Sequence, residues 1–329
     1  MRQPPVGTVA SPGGRAPTPL PPMTFESVEL TDWRDVHDLA DMLPSGLYVF
    51  RGQEDSAWPL STSLERVLLR DRPGTRYRPD SGLSWATTTE RWMVHEFARR
   101  HALYDPTAPR PEGPFEWLAL MQHHGAPTRL LDASESIYVA AYFALATAPA
   151  ESAVWAVSRY NLQRRAFAHL GLDYDPARAL KDDVNRHHVA LVNEAFGAHE
   201  PEDAVPGVVD CGPTVANRRL SLQQGVFLVP TVARARFEAN LAATFGAPSW
   251  PEPTPTDLAG LARRHRAFLD TDARDERTDL LADIVRVHIG PGLRRDALRS
   301  LTRMNVTAES LFGGLDGLAR SVYQRAAQS

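Results

Sequence analysis

The chain has 329 residues, of which 43% are hydrophobic and 23% are charged, and these are the fractions of an ordinary globular protein. Its formal net charge of −4 at pH 7 excludes a global basic field for nucleic acid, although a local basic face stays open. Because Cys211 is the single cysteine, intrachain disulfides are excluded and a cysteine-based zinc site is not expected, which fits a reducing cytosol.

Composition divides the chain into four parts. Residues 1–23 are rich in proline and glycine and lack the apolar core of a signal peptide, so they predict a disordered leader. We expect a main domain over residues 24–245, a proline-rich linker over residues 246–256, and a C-terminal α/β appendage packed on the main domain over residues 257–329. No uncharged apolar run has the length of a membrane helix, so we expect a cytoplasmic protein without membrane contact.

The first run of residues typical of a strand is followed directly by an arginine. Leu47 to Phe50 is rich in aromatic and branched residues, which favour a strand, and Arg51-Gly52 comes next. An arginine that leaves a buried strand can point its guanidinium into a cleft, and the glycine can let a ligand come close. The alternative is an arginine that simply reaches solvent at the end of a strand.

Ionisable and turn-forming residues crowd into the stretch from residue 116 to residue 144. Glu116 to Gln122 has helical spacing, and Gly125 and Pro127 break that helix. Thr128 to Asp132 predicts a short strand that is polar at both ends. A serine then caps a second helix, Ile137 to Ala144, whose apolar residues on almost every side predict burial.

This stretch predicts a site with a rigid backing. Arg129 and Asp132 are expected at opposite ends of the short strand, and His124 lies on the turn that leads into it. His124 is a candidate proton carrier, because the reference pKa of histidine lies near neutrality. Two structural alternatives stay open: Arg129 and Asp132 can form an ion pair that ties two loops together, and the ring of His124 can cap backbone groups.

The third polar stretch precedes a further strand. Residues 217–224 predict a polar approach, Gly225 a break, and the run to Val229 a strand. Gln223 and Gln224 have no evident place in a core, and a surface turn is the alternative for them.

These three stretches together resemble one family. Phe50-Arg51-Gly52 carries the Phe-Arg-Gly motif that names the FRG-domain family, and residues 116–132 are similar to its central block. The residues that resemble its third block are Arg219, Leu220, Gln223, Gly225 and Phe227. Ala133 and Ser134 depart from the tryptophan and threonine of the family pattern.

The resemblance implies an architecture and a biological setting. We expect an α+β fold with a mixed, mainly antiparallel sheet, flanking helices and an ADP-ribosyltransferase-like cleft. The side chains expected to line that cleft are Arg51, His124, Arg129, Asp132 and Gln223. The family also implies a bacterial or phage-related protein, with a role in defence or toxicity.

The order of the blocks is also similar to that of ADP-ribosyltransferases, in which a strand-end Arg-Gly meets NAD and a third strand carries a catalytic glutamate. The residues that this similarity assigns to NAD binding are Arg51, Gly52, Thr128, Arg129 and Arg219. Those that it assigns to catalysis are Arg51, His124, Asp132 and Gln223. Because a glutamine cannot act as a general base, Asp132, Glu65 or Glu194 would have to replace the missing glutamate.

Two functions therefore follow from the sequence. The first is an ADP-ribosyltransferase-like enzyme or NAD glycohydrolase that uses NAD as a substrate, needs no metal, modifies a protein or nucleic-acid acceptor, and acts as a bacterial defence or toxin effector. The second is a non-catalytic sensor module that binds a nucleotide or a phage component. A metal-dependent nuclease is disfavoured, because no paired carboxylates with histidine stand at a suitable spacing.

Overall fold

The computed structural model describes residues 21–70, 83–107, 110–172, 180–197, 203–213, 218–271 and 278–328. The leader predicted for residues 1–23 lies almost entirely outside these ranges. Within the described residues, no helix is both long and apolar enough to cross a membrane.

A single eight-stranded sheet organises the described part of the chain. Its strands are β1 (Phe25–Leu30), β2 (Tyr48–Gln53), β3 (Leu131–Ser134), β4 (Ser152–Ser158), β5 (Val208–Cys211), β6 (Gly225–Pro230), β7 (Thr254–Pro255) and β8 (Ile284–Ile289). They lie in the order β5-β6-β3-β2-β4-β8-β1-β7. Strand β1 is parallel to β7 and β8, and the other pairings are antiparallel. The prediction of an α+β fold with a mixed, mainly antiparallel sheet is confirmed.

Helices cover both faces of the sheet. They are α1 (Asp35–Met42), α2 (Ser63–Arg70), α3 (Ala86–Tyr104), α4 (Pro114–His123), α5 (Ile137–Leu145), α6 (Arg159–Leu170), α7 (Lys181–Gly197), α8 (Arg218–Leu222), α9 (Phe237–Thr244), α10 (Leu258–Leu269), α11 (Arg294–Arg303), α12 (Ala308–Phe312) and α13 (Gly314–Gln328). Helices α1, α5, α10 and α11 pack on one face, and α6 and α9 pack on the other. Strand β4 is buried along its whole length, because both of its faces are covered.

The C-terminal part of the chain contributes to the middle of the sheet. Strand β8, which belongs to the segment 257–329, lies between β4 and β1 and pairs with each of them over six positions. The segment predicted as a linker, residues 246–256, supplies the short edge strand β7. Main domain and appendage therefore share one sheet, which local sequence patterns do not reveal because they specify strands and not strand partners.

The central stretch folds as helix, turn, strand and helix, with the strand shifted along the chain. Strand β3 begins at Leu131, whereas the sequence placed its start at Thr128. Gly125 takes a left-handed conformation with φ of 86°, which supports the predicted turn. The cap of α5 is Ser136, whose Oγ accepts a hydrogen bond from Val139 N at 3.4 Å.

Candidate functional site

A cavity of about 690 Å³ opens where β2 and β3 diverge. In the described structure the two strands pair at one position, Phe50 with Ser134, whereas β2 and β4 pair over six positions. Residues 51–54 line one side of the opening, and Asp132 and Ala133 line the other. This volume lies in the range of small-molecule binding sites. Because the two strands separate here, polar groups at their ends face the cavity.

Arg51 spans the gap between the two strands. Its Nη1 donates a hydrogen bond to the main-chain oxygen of Asp132 at 2.7 Å, in place of the missing strand pairing. Its Nε is buried and has no hydrogen-bond partner among the described residues, and no described carboxylate forms an ion pair with the guanidinium. Burial lowers the pKa of Arg51 to about 10, so the side chain stays charged at neutral pH.

Gly52 has a packing role that the sequence did not predict. A Cβ atom at this position would lie 1.9 Å from Ala140 O and 2.6 Å from Ala144 N, both in the backbone of α5. Glycine therefore lets the buried helix α5 approach β2. From the sequence, the same glycine was expected to let a ligand approach. Gly52 also borders the cavity, and its part in ligand binding stays a prediction.

Arg129 lies outside the cavity lining and in the core, with 2% of its surface exposed. Its Nε donates to Glu90 Oε2 at 2.5 Å, and its main-chain N donates to Glu90 Oε1 at 2.7 Å. Its ion-pair partner is thus Glu90 on α3, and neither the expected cleft position nor the expected pair with Asp132 is observed. The reason is that β3 begins two residues after Arg129, which leaves the side chain free to turn towards α3.

Thr128 is likewise buried and absent from the cavity lining. Its main-chain N donates to Ser63 Oγ at 3.0 Å, and its hydroxyl bonds the side chain of Gln122. It joins α2 to α4, and its predicted part in ligand binding stays a prediction.

His123, and not His124, faces the cavity. His124 is exposed on the turn after α4. Burial, together with the charges of His124 and Arg219, lowers the pKa of His123, so its ring is neutral at neutral pH. Helical spacing could have found it, because Ala119, Gln122 and His123 lie three and four residues apart and all three line the cavity.

The third wall comes from α8 and the residues after it. Arg219 and Gln223, which the sequence assigned to the site, line the cavity together with Leu220. Gln223 Nε2 donates to Leu311 O at 3.2 Å, and the carbon of the Arg219 guanidinium lies 4.8 Å from the centre of the Phe312 ring. The C-terminal residues therefore brace this wall.

Several lining residues were not predicted as part of the site. They are Trp58, Arg66 and Arg236, from the loop after β2, from α2 and from the start of α9. Glu65 on α2, which the sequence offered only as a replacement for the missing glutamate, also lines the cavity. Glu65 Oε2 accepts a hydrogen bond from Phe237 N at 3.1 Å, and burial raises the pKa of Glu65. The sequence signal for Glu65 was weak: it shares a helix face with Leu68 and Leu69, which is an unusual position for an acid.

A family model described as FRG domain matches residues 46–153. The chain contains an FRG domain. The matched span runs from β2 to the start of β4 and includes Arg51, Glu65, His123 and Asp132. Comparisons with curated proteins and with solved structures found no match.

The FRG domain and the segments after it build the cavity together. Of the five side chains expected in one cleft, Arg51, Asp132 and Gln223 share this cavity, whereas His124 and Arg129 do not line it. Arginine outnumbers the acids in the described lining: Arg51, Arg66, Arg219 and Arg236 against Glu54, Glu65 and Asp132. Within the described residues, no group of three His, Cys, Asp or Glu side chains could hold a metal ion.

Proposed function

We propose that this FRG-domain protein binds NAD in the cavity and cleaves its nicotinamide–ribose bond, as an ADP-ribosyltransferase or NAD glycohydrolase. The observation that carries the proposal is Arg51, a half-buried cation at the cavity wall whose buried Nε has no hydrogen-bond partner among the described residues. The charge of the nearby Asp132 opposes the lowering of its pKa by burial, but no described carboxylate forms an ion pair with it. An N–H that is buried without an acceptor is unfavourable, and a bound phosphate would supply that acceptor together with negative charge.

The remainder of the lining favours a dinucleotide over a simple anion. Arg66, Arg219 and Arg236 add positive charge around the same hollow, which suits the two phosphates of a pyrophosphate. Trp58 lines the cavity and keeps 47% of its surface exposed, so its ring offers a stacking surface for a base at the rim.

Bond cleavage in NAD needs negative charge near the positive charge that develops on the ribose, and an acceptor for a proton. Carboxylates from Glu54, Glu65 and Asp132 line the cavity. The neutral ring of His123 can accept a proton at neutral pH, a role that the sequence gave to His124. Gln223 orients groups through its amide.

The direct test measures nicotinamide released from NAD by the purified protein. We expect release by the wild type and a loss of at least 100-fold in Arg51→Gln, which removes the cation. Arg34→Gln is the matched control, because the Arg34 side chain is exposed and pairs with Asp32 away from the cavity lining. Wild-type protein that leaves NAD intact with every acceptor tested would contradict the proposal.

A non-catalytic sensor is the second candidate, and Gln223 favours it. An amide stands where ADP-ribosyltransferases carry glutamate, and it is engaged with Leu311 O. A sensor of a nucleotide or phage component would show a saturable rise in melting temperature with ligand and no chemical product.

We further propose that the enzyme acts as a defence or toxin effector, because loss of NAD stops the growth of the cell that contains it. Expression in bacteria is expected to lower cellular NAD and arrest growth, and Arg51→Gln to relieve both effects. Growth arrest without NAD loss would point to another target.

A further inference from the structure

The proposed reaction needs a carboxylate, and the position expected for it holds Gln223. Four acids could replace it. Glu54 lines the cavity, but its carboxylate is engaged in an exposed hydrogen bond with the Thr147 hydroxyl. Glu194 is exposed on α7 and does not line the cavity. Asp132 lines the cavity, but the residue is exposed, and its main-chain oxygen is what holds Arg51. Glu65 lines the cavity with only 6% of its surface exposed.

We propose that Glu65 is the catalytic carboxylate of this cavity, an assignment that rests on the proposed cleavage of NAD. Two hydrogen bonds fix its place. Glu65 N donates to Thr62 Oγ1 at 3.1 Å in the first turn of α2, and Glu65 Oε2 accepts from Phe237 N at 3.1 Å at the start of α9. Thr62 also donates a main-chain hydrogen bond to the carboxylate. A carboxylate has about four lone-pair sites, so these main-chain hydrogen bonds leave capacity for a ligand.

The charges around Glu65 suit this role. Arg66 follows it on α2, and Arg236 faces it from the start of α9. Burial raises the pKa of Glu65, while the hydrogen bond from Phe237 N and the charges of Arg236 and Arg66 oppose that shift. A partly desolvated carboxylate stabilises a nearby cation more strongly than one in water.

In the reaction, the bond between nicotinamide nitrogen and ribose C1′ breaks, and its electron pair leaves with nicotinamide, which departs neutral. Glu65 faces the positive charge left on C1′ and the ribose ring oxygen. The oxygen of water, or of an acceptor group, then bonds to C1′ and loses its proton to the Glu65 carboxylate, which returns it to solvent. With water the products are ADP-ribose, nicotinamide and a proton.

Glu238 provides a matched control for a purely structural acid. Its Oε1 accepts a hydrogen bond from Leu60 N at 3.0 Å, as Glu65 accepts one from Phe237 N. Both carboxyl groups have pKa values raised by burial, but Glu238 is absent from the cavity lining. A glutamine at either position keeps an oxygen that can accept the main-chain hydrogen bond.

The experiment compares full-length wild type, Glu65→Gln, Glu65→Asp and Glu238→Gln with NAD as the probe, measuring nicotinamide release and the rise in melting temperature. We expect Glu65→Gln to lose at least 100-fold in kcat while NAD still raises its melting temperature. Glu65→Asp keeps the charge but shortens the side chain, and about a tenfold loss is expected. Glu238→Gln is expected to stay within about threefold of wild type.

The pH dependence adds a second readout. Wild-type kcat is expected to fall as the pH falls through the raised pKa of Glu65, because protonation removes the negative charge, and Glu65→Gln to lose this limb. Wild-type turnover by folded Glu65→Gln, or loss of NAD binding in place of kcat, overturns the assignment while the NAD proposal stands. If wild type itself releases no nicotinamide, the NAD proposal fails, and the assignment falls with it.

Discussion

Arg51 and Arg129 were both expected to line the cleft, and they occupy opposite kinds of environment. Arg129 is enclosed in the core with the Glu90 carboxylate on its Nε, whereas Arg51 lies at a cavity and bonds only a main-chain oxygen among the described residues. Each has one buried nitrogen without a hydrogen-bond partner there, and for Arg129 the Phe196 ring centre lies 5.7 Å from the guanidinium carbon. An unpartnered N–H in the core is thus a weak sign of a ligand, and an unpartnered N–H at the wall of a cavity is a stronger one.

The largest expected effect is a difference between substitutions of these two arginines in the free energy of unfolding. Arg129→Gln is expected to lower the free energy of unfolding by about 3–5 kcal/mol, because it leaves the Glu90 carboxylate buried without its partner. Arg51→Gln is expected to change it by less than about 1 kcal/mol, since it removes a half-buried cation that forms no ion pair among the described residues, together with one hydrogen bond. Urea unfolding of the ligand-free proteins measures both, and equal losses would remove the distinction between a structural and a ligand-binding arginine.

The second prediction concerns the residue beside Arg51. Gly52→Ala is expected to lower the free energy of unfolding by about 2–4 kcal/mol, because the new Cβ meets backbone atoms of α5 that no side-chain rotation can move away. Gly46→Ala is the control: a Cβ there has no atom within 4 Å, so little change or slight stabilisation is expected. A tolerated alanine at position 52 would show that the motif glycine serves the ligand and not the helix.

The smallest effect concerns a carboxyl group behind the cavity wall. Burial raises the pKa of Glu238 to about 7; the hydrogen bond from Leu60 N opposes this shift, and the charge of Glu65 adds to it. The folded state therefore holds this proton more tightly than the unfolded chain, so this group's contribution to stability decreases as the pH rises from about 4.5 to about 7. Glu238→Gln is expected to flatten this dependence and to raise stability at pH 8 by roughly 1–2 kcal/mol.

Thermal and urea unfolding of wild type and Glu238→Gln at pH 5 and pH 8 check this prediction as a difference between the two proteins. The difference cancels the contribution of other buried acids such as Asp283, whose pKa burial raises to about 6. A variant that is less stable than wild type at pH 8 would mean that the ionised group is favourable in the folded state.

Local sequence patterns determined a large part of this protein. Branched and aromatic runs indicated strands β2 and β6, and the apolar residues after Ser136 indicated the buried helix α5. The Phe-Arg-Gly motif and the residues around positions 122–132 indicated the FRG-domain family. The match of the FRG-domain family model to residues 46–153 supports this. These features follow from neighbouring residues, because helix and strand periodicities depend on short-range backbone geometry.

The tertiary structure decided which of those residues meet. Glu90 lies 39 residues before Arg129 in the chain and forms an ion pair with its guanidinium. Helix α2 brings Glu65 to the cavity wall, and the end of α4 directs His123 towards the cavity while His124 is exposed to solvent. Strand β8 likewise pairs with strands distant from it in the chain. These contacts between distant residues depend on how the helices pack on the sheet and on where two strands separate. The local periodicity of the sequence specifies neither.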